Sequence, residues 1–141
     1  MVNDIDNLLP EVVMRPPFPA EEIDELFADF ITEVGKIPHQ DYLLFMRRHN
    51  GADGPVGQRG YVTIWPLEEV IMATEKAGTN EFAPGLLLFA GDGGGTAYAF
   101  DRQDPRWPIV QVELVSMSRE EMKPVAATFT EFIRKLANDE L

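Results

Sequence analysis

The stretch from Leu86 to Asp101 constrains the fold more than any other part of the chain. A continuous apolar run, Leu86 to Ala90, is broken by the glycine-rich sequence GDGGG, and a second apolar run follows from Thr96 to Phe100. Glycine accepts positive φ angles without a steric penalty, so two such runs around a glycine cluster predict a β-hairpin. The first run shows no polar alternation, which indicates a central strand covered on both faces.

Helical patterns flank this hairpin. The residues before Pro10 predict a short helix, and Arg15 to Pro19 form a rigid extended connector because three of those five residues are proline. Further helices are predicted where apolar side chains recur at helical spacing, acidic residues occupy the first turn, and Gly or Asn follows the last turn. These helices are Ala20–Val34, Pro38–His49, Leu67–Lys76 and Thr128–Asn138. We expect the first two of them to pack as a helical hairpin.

Two more strands are indicated by alternating polarity, Gly60 to Trp65 and Ile109 to Leu114. The residues Ala52 to Arg59, rich in Gly and Pro, predict a loop, and Gly78-Thr79-Asn80 predicts a break. Strands joined by short turns favour an antiparallel meander covered by helices, which is an α+β fold. We therefore expect a single domain over residues 1–141, in which residues 1–19 form an N-terminal lead-in.

The charge balance narrows the classes of partner. The chain carries 24 acidic and 12 basic side chains, a net charge of −12. Such a field repels nucleic acid and anionic membranes and attracts basic partners, although it also serves solubility alone. There is no cysteine for disulfides or thiolate metal sites. With no apolar run near the roughly 20 residues of a membrane helix and no signal-peptide pattern, we expect a monomeric cytoplasmic protein.

Motifs for catalysis or cofactor binding are weak. The cluster Gly91 to Gly95 lacks the spacing of a phosphate-binding loop and precedes a strand, so a tight turn is favoured over a ligand loop. His39 and His49 lie about three helical turns apart and cannot share one metal ion. Asp101 and Asp104 belong either to a solvated turn or to a weak chelating site. With no nucleophile elbow and few general bases, we expect no enzyme, no cofactor and no metal.

The two tryptophans have different contexts. Trp65 ends a strand beside Tyr61 and is predicted to lie in the core. Trp107 lies in the polar turn RQDPRWP, next to Arg106 and two prolines. Either it folds back over the sheet edge, or it is exposed and anchors a partner, as aromatic side chains in binding interfaces do.

The chain resembles the SUKH superfamily, the cell-wall regulator-like (Smi/Knr) domain, over Ala20 to Leu136. Four segments carry the resemblance: EEIDELFADFITEVGKIPHQDYLLFMRRHNG, YVTIWPLEEV, LLLFAGDGGGTAYAFD and ATFTEFIRKL. The motif residues within them are Pro38, Tyr42, Asn50, Gly51, Asp92, Gly93, Gly94 and Tyr98. Ile37 replaces the Leu that usually precedes the proline. The resemblance implies an α+β fold with a central sheet and no catalytic residues.

Bacterial members similar to this chain are immunity proteins that bind and neutralise a toxin encoded beside them, many of these toxins being nucleases. The resemblance therefore implies a protein-binding immunity module, and the net charge of −12 fits a basic toxin domain. A regulatory scaffold in envelope or cell-wall synthesis is the alternative, and a small-molecule-binding or hydrolytic domain is the third. Acidity and a turn aromatic define the candidate partner-binding residues, which are Asp53, Glu68, Asp92, Asp101, Asp104 and Trp107.

Overall fold

In a computed structural model, which describes residues 4–141, the chain forms six helices and one seven-stranded antiparallel sheet. The helices are α1 (Asp4–Asn7), α2 (Ala20–Val34), α3 (Gln40–Arg48), α4 (Leu67–Lys76), α5 (Thr79–Phe82) and α6 (Phe129–Ala137). The strands are β1 (Val13–Met14), β2 (Ala52–Val56), β3 (Gly60–Ile64), β4 (Leu86–Gly91), β5 (Thr96–Asp101), β6 (Ile109–Glu113) and β7 (Lys123–Ala126). This architecture confirms the predicted α+β class. Residues 1–3, the start of the predicted lead-in, lie outside the described residues.

The sheet is the predicted meander, because its strands lie side by side in chain order from β1 to β7. The β4–β5 hairpin occupies the middle, with Leu87 opposite Phe100 and Gly91 opposite Ala97. Every residue of β4 is buried. The expectation of a central strand covered on both faces is therefore confirmed.

A larger and a smaller core cover the two faces of the sheet. On the larger side, the rings of Phe89 and Phe100 stack at 4.2 Å, and Tyr42 of α3 meets Phe129 of α6 at 5.3 Å. The smaller core contains Leu86, Leu88, Ala97, Ala99, Val110, Val112 and Met117. Trp65 is partly buried against both cores, as predicted for a core residue.

Helix α4 supplies a hydrogen-bond partner to β4 where β3 no longer pairs with it. The register between β3 and β4 contains two pairs, Thr63 with Gly91 and Ile64 with Ala90. Beyond them, the Leu88 amide donates a 3.0 Å hydrogen bond to Thr74 Oγ1 on α4. This side chain satisfies a strand amide that would otherwise be buried without a partner. Helix α4 therefore takes the place of a neighbouring strand along the first half of β4.

The structure contains two strands that the sequence patterns do not predict, because tertiary contacts override glycine and proline there. Residues 52–56, predicted as a loop, form β2. Gly54 in that strand allows β1 to approach, since a Cβ there would lie 2.9 Å from the Val12 Cα. Strand β7 was not expected, but its Pro124 suits an edge strand, which needs no hydrogen bond from that nitrogen.

Two helical predictions also need correction. A break was predicted over residues 78–80. Gly78, at φ +76°, does end α4, but a new helix, α5, begins at Thr79. The first two long helices do not form the expected hairpin, because α2 packs mainly on α4 and α3 mainly on α6. They meet through Arg47, which bonds Asp24 at 3.0 Å and lies over the Phe27 ring.

Candidate partner-binding surface

The sheet separates the predicted binding residues into groups. Asp92 lies in the turn that joins β4 to β5, whereas Asp101 is the last residue of β5. Strands rise about 3.3 Å per residue, so the ends of β5 are about 17 Å apart. We call the two regions the Asp92 end (Asp53, Tyr61, Asp92, Gly93 and Tyr98) and the Asp101 end (Asp101, Asp104, Trp107 and Arg119).

At the Asp101 end, the Asp101 carboxylate is buried and paired. It is 6% exposed, and both of its oxygens accept hydrogen bonds from the Arg119 guanidinium, at 3.0 and 2.9 Å. It also accepts a bond from the Gln103 amide at 3.1 Å. A carboxylate with these partners is neutralised inside the protein, so Asp101 offers little charge to a partner.

Trp107 does not have the exposed position that a partner anchor requires. It is 7% exposed and packs into the larger core, where its ring lies 6.1 Å from that of Phe100. His39 donates from Nε2 to the Trp107 carbonyl at 2.7 Å and stacks on Phe100 at 4.8 Å. Of the two interpretations of this tryptophan, the structure supports the one in which it folds back over the sheet edge. This is a correction to its place among the candidate binding residues.

Asp104 shapes the turn that carries this tryptophan. Its carboxylate accepts bonds from the Arg106 side chain and the Arg106 amide, each at 2.9 Å. These hydrogen bonds from Arg106 lower the pKa of Asp104 to about 2. The Asp104 carbonyl accepts a 2.9 Å bond from the Trp107 amide, and Trp107 itself has φ +50°. Asp104 therefore helps to hold the backbone that directs the indole inward.

At the Asp92 end, the glycine cluster is a tight turn closed by Asp92. The Asp92 Oδ1 accepts hydrogen bonds from the Gly94 amide at 2.8 Å and the Thr96 amide at 3.2 Å. Gly93 has φ +81°, and a Cβ at that position would lie 3.1 Å from the Tyr61 ring. The positive φ angle therefore favours glycine at position 93, and a Cβ there would also press against the Tyr61 ring.

Asp53 and two tyrosines extend this end. The Asp53 carboxylate accepts a 2.8 Å bond from the Thr63 hydroxyl across the β2–β3 pair. The proximity of this carboxylate also raises the pKa of the Tyr61 phenol. The pKa of Tyr98 is raised by burial and by the charges of Asp92 and Glu113. Both phenols thus lie in a locally negative field.

An open groove of about 500 Å³ runs along the Asp92 end. Its walls come from the start of β3, the β4–β5 turn and the C-terminal end of α6. The residues that line it are Arg59, Gly60, Tyr61, Asp92, Tyr98, Leu136, Asp139 and Leu141. Asp139 fixes one wall, because it accepts hydrogen bonds from the amides of Gln58 and Arg59 at 3.0 to 3.2 Å.

Glu68 belongs to neither end. It lies in the first turn of α4 and accepts a 2.7 Å bond from Asn50 Nδ2. Asn50 Oδ1 in turn accepts a bond from the Leu67 amide at 2.9 Å, which satisfies the start of α4. Asn50 was singled out only as a helix stop and motif residue, and the structure gives it this second role seventeen residues downstream.

The predicted set therefore divides in three. Asp53 and Asp92 come together, Asp101, Asp104 and Trp107 come together elsewhere, and Glu68 stands apart. The candidate residues predicted from sequence do not include Tyr61, which lies in an alternating strand, or Tyr98, which is a motif residue. Over residues 4–141, no cluster of three or more His, Asp or Glu side chains is arranged to hold a metal ion. Within that same range, no helix has the length and apolar character that a bilayer crossing requires.

A family model described as SMI1 / KNR4 family (SUKH-1) matches residues 21–135. The matched range runs from the first turn of α2 to the last turn of α6 and includes both ends of the β4–β5 hairpin. No curated protein matches the chain. The match agrees with the resemblance carried by the sequence motifs and covers most of the same residues.

Proposed function

Because the chain belongs to the SMI1/KNR4 family (SUKH-1), we propose that it is an immunity protein that binds a basic toxin domain. In this proposal the chain neutralises the toxin in the cytoplasm by occupying its surface, and it catalyses no reaction. Family membership supports a module of the immunity or Smi1-like kind. The finer assignment to a basic toxin rests on the charge of this chain.

The observation that carries the assignment is the excess of exposed carboxylates. The net charge is −12, and five of the acidic residues lie exposed along α2 without an ion pair among the described residues: Glu21, Glu22, Glu25, Asp29 and Glu33. Complementary charge speeds the encounter of two proteins and suppresses wrong partners. A nuclease toxin presents a basic cleft for its substrate, which is a suitable surface for such a partner.

The predicted binding residues contribute unequally in this proposal. Asp53, Asp92 and Glu68 keep part of their surface accessible and remain candidates for direct contact. Asp101 and Trp107 are buried and contribute through the fold. Asp104 is engaged by Arg106, so its charge is largely compensated.

Co-expression tests the proposal. The chain is produced in a susceptible host together with the toxin encoded beside it in its genome of origin, and survival is compared with that of cells producing the toxin alone. We expect survival to be restored. Survival that does not depend on the chain contradicts the immunity assignment.

The ionic strength of the binding reaction tests the charge argument separately. Stopped-flow association of the purified chain with the toxin domain is expected to slow by about tenfold or more between low and high salt. An association rate that does not respond to salt contradicts a basic partner. Recovery of cell-wall enzymes and no toxin in an affinity capture favours the scaffold alternative.

A further inference from the structure

We propose that the groove at the Asp92 end receives one cationic side chain, an arginine or a lysine, from the basic partner. This inference rests on the proposed function and assigns a recognition chemistry to one place on the surface. It is carried by the groove itself, by the uncommitted oxygen of Asp92 and by two tyrosines that line the same space.

The carboxylate of Asp92 is held in place but not neutralised. Both of its hydrogen bonds, from Gly94 and Thr96, end on Oδ1. The turn therefore orients the carboxylate and leaves Oδ2 for a ligand. None of the ion pairs in the described part of the chain involves Asp92. The carboxylate of Asp101, by contrast, has both oxygens occupied by Arg119.

The charges around the groove favour a cation. Asp92 and Asp139 line it, and Asp53 and Glu113 lie beside its two tyrosines. Arg59 is the one cationic side chain among the lining residues. The surrounding carboxylates outnumber it, so the groove attracts a partner's ammonium or guanidinium group and repels a phosphate or carboxylate.

The aromatic and aliphatic lining suits the rest of such a side chain. Tyr61 is 42% exposed, and its ring lies on the side of Gly93 where a Cβ would approach it to 3.1 Å, beside Asp92. Rings attract cations through their electron-rich faces, and the methylene stems of Arg and Lys pack on apolar surface. The groove volume of about 500 Å³ accommodates one extended side chain.

The groove beside strand β7 has the opposite character. It is lined by Arg106, Lys135 and the apolar residues of β7, and it has a volume of about 390 Å³. Lys135 donates to the Val125 carbonyl at 2.6 Å, which occupies an acceptor on this sheet edge. Arg106 and Lys135 would repel the cationic side chains of a basic partner, so the groove at the Asp92 end suits such a partner better.

The test uses N-acetyl-arginine amide as the probe and NMR chemical shifts of the full chain as the readout. Increasing probe concentration is expected to shift the amides of residues 92–96 and the ring signals of Tyr61 and Tyr98, along one saturating curve. N-acetyl-citrulline amide, a neutral analogue of similar shape, is the matched control and should give no such curve. Shifts that spread evenly over all acidic residues, or equal responses to both probes, overturn the proposal.

Variants identify the residues responsible. Asp92→Asn keeps the Oδ1 acceptor that closes the turn and removes the charge, and Tyr61→Leu keeps bulk and removes the ring. Each is expected to weaken probe binding by about fivefold or more. Glu81→Gln changes the net charge equally at an exposed position on α5 and should leave binding unchanged. Equal weakening by Asp92→Asn and Glu81→Gln overturns the proposal.

The same variants separate this inference from the proposed function. If Asp92→Asn and Tyr61→Leu protect cells from the toxin as fully as the parent chain, the groove proposal fails and the immunity assignment stands. If the probe binds at the groove but the parent chain gives no protection, the immunity assignment fails and the cation site stands. Loss of protection in both groove variants, with Glu81→Gln fully protective, supports both the groove proposal and the immunity assignment.

Discussion

The two ends of the β4–β5 hairpin use the same residue type in opposite ways. Each places an aspartate at a chain reversal, and each has an aromatic residue nearby. At the Asp101 end the carboxylate is bound by Arg119 and the indole of Trp107 is buried. At the Asp92 end the carboxylate is bound only through Oδ1, and Tyr61 stays 42% exposed beside it.

This difference shows that the partners of a carboxylate, more than its place in an acidic turn, decide whether it serves the fold or a ligand. Burying a charge is costly unless another charge and hydrogen bonds compensate it. Asp101 has that compensation and closes its end of the sheet. The hydrogen bonds to Asp92 come from backbone amides of its own turn, so no cation neutralises its carboxylate and the charge remains accessible. The comparison makes distinct predictions for substitutions at the two ends.

The largest expected effect is that of Trp107→Ala. This substitution removes a buried indole from the larger core, where large-to-small changes of this kind cost about 4 kcal/mol. The free energy of unfolding, measured by urea titration, should fall by that amount. The matched substitution at the other end, Tyr61→Ala, should cost less than about 1 kcal/mol because the ring is partly in solvent. Similar losses of stability at both positions would contradict the distinction between a buried aromatic residue at the Asp101 end and an exposed one at the Asp92 end.

The next effect in size is that of Asp101→Ala, which leaves the Arg119 guanidinium largely buried without its carboxylate. Removing one member of a buried pair is more costly than its surface equivalent, and we expect a loss of about 3 kcal/mol. The double variant with Arg119→Ala should recover part of that loss, because no charge is then stranded. Asp92→Asn should change stability by less than about 0.5 kcal/mol. A double variant that is less stable than Asp101→Ala would contradict this account.

The elements of the fold that were predictable from sequence are those whose signals are local. Helical periodicity gave α2 and α4 with their observed ends, and the glycine cluster gave the β4–β5 hairpin. Strand β2 was not predicted because Gly54 and Pro55 are typical of a loop. The need for glycine there comes from Val12, 42 residues earlier in the chain. Local pattern carries no information about such an approach.

The candidate site was less predictable for the same physical reason. His39 fixes Trp107 across 68 residues of sequence, and Arg119 reaches Asp101 from a later loop. Neither pairing leaves a trace in residue spacing, so the two acidic turns looked alike. The turn role of Asp92 and Gly93 was predictable, because both the short-range hydrogen bond and the positive φ are properties of the turn itself.

A smaller effect, of the opposite sign, is expected at neutral pH at a buried polar group that has no partner. The ring of Tyr42 packs 5.1 Å from that of Phe100, and its hydroxyl is buried without a hydrogen-bond partner among the described residues. Replacing a buried, unsatisfied polar group by an apolar one of the same shape is neutral or stabilising. Tyr42→Phe should therefore raise the free energy of unfolding by about 1 kcal/mol, opposite in sign to Asp101→Ala.

Alkaline pH provides an independent check on this tyrosine. Burial raises the pKa of Tyr42 above its ordinary value of 10.0, so the folded chain holds the phenol proton more tightly than the unfolded chain does. The stability linked to that proton is complete below pH 10 and is lost as the pH rises further. The stability difference between Tyr42→Phe and the parent chain should therefore widen by about 1.4 kcal/mol at pH 11. The ring of Tyr98 borders the open groove. The stability difference between Tyr98→Phe and the parent chain should therefore widen less over the same pH range. A difference that stays constant between pH 8 and pH 11 would mean that the Tyr42 hydroxyl is hydrated and that the core is as open there as at the Asp92 end.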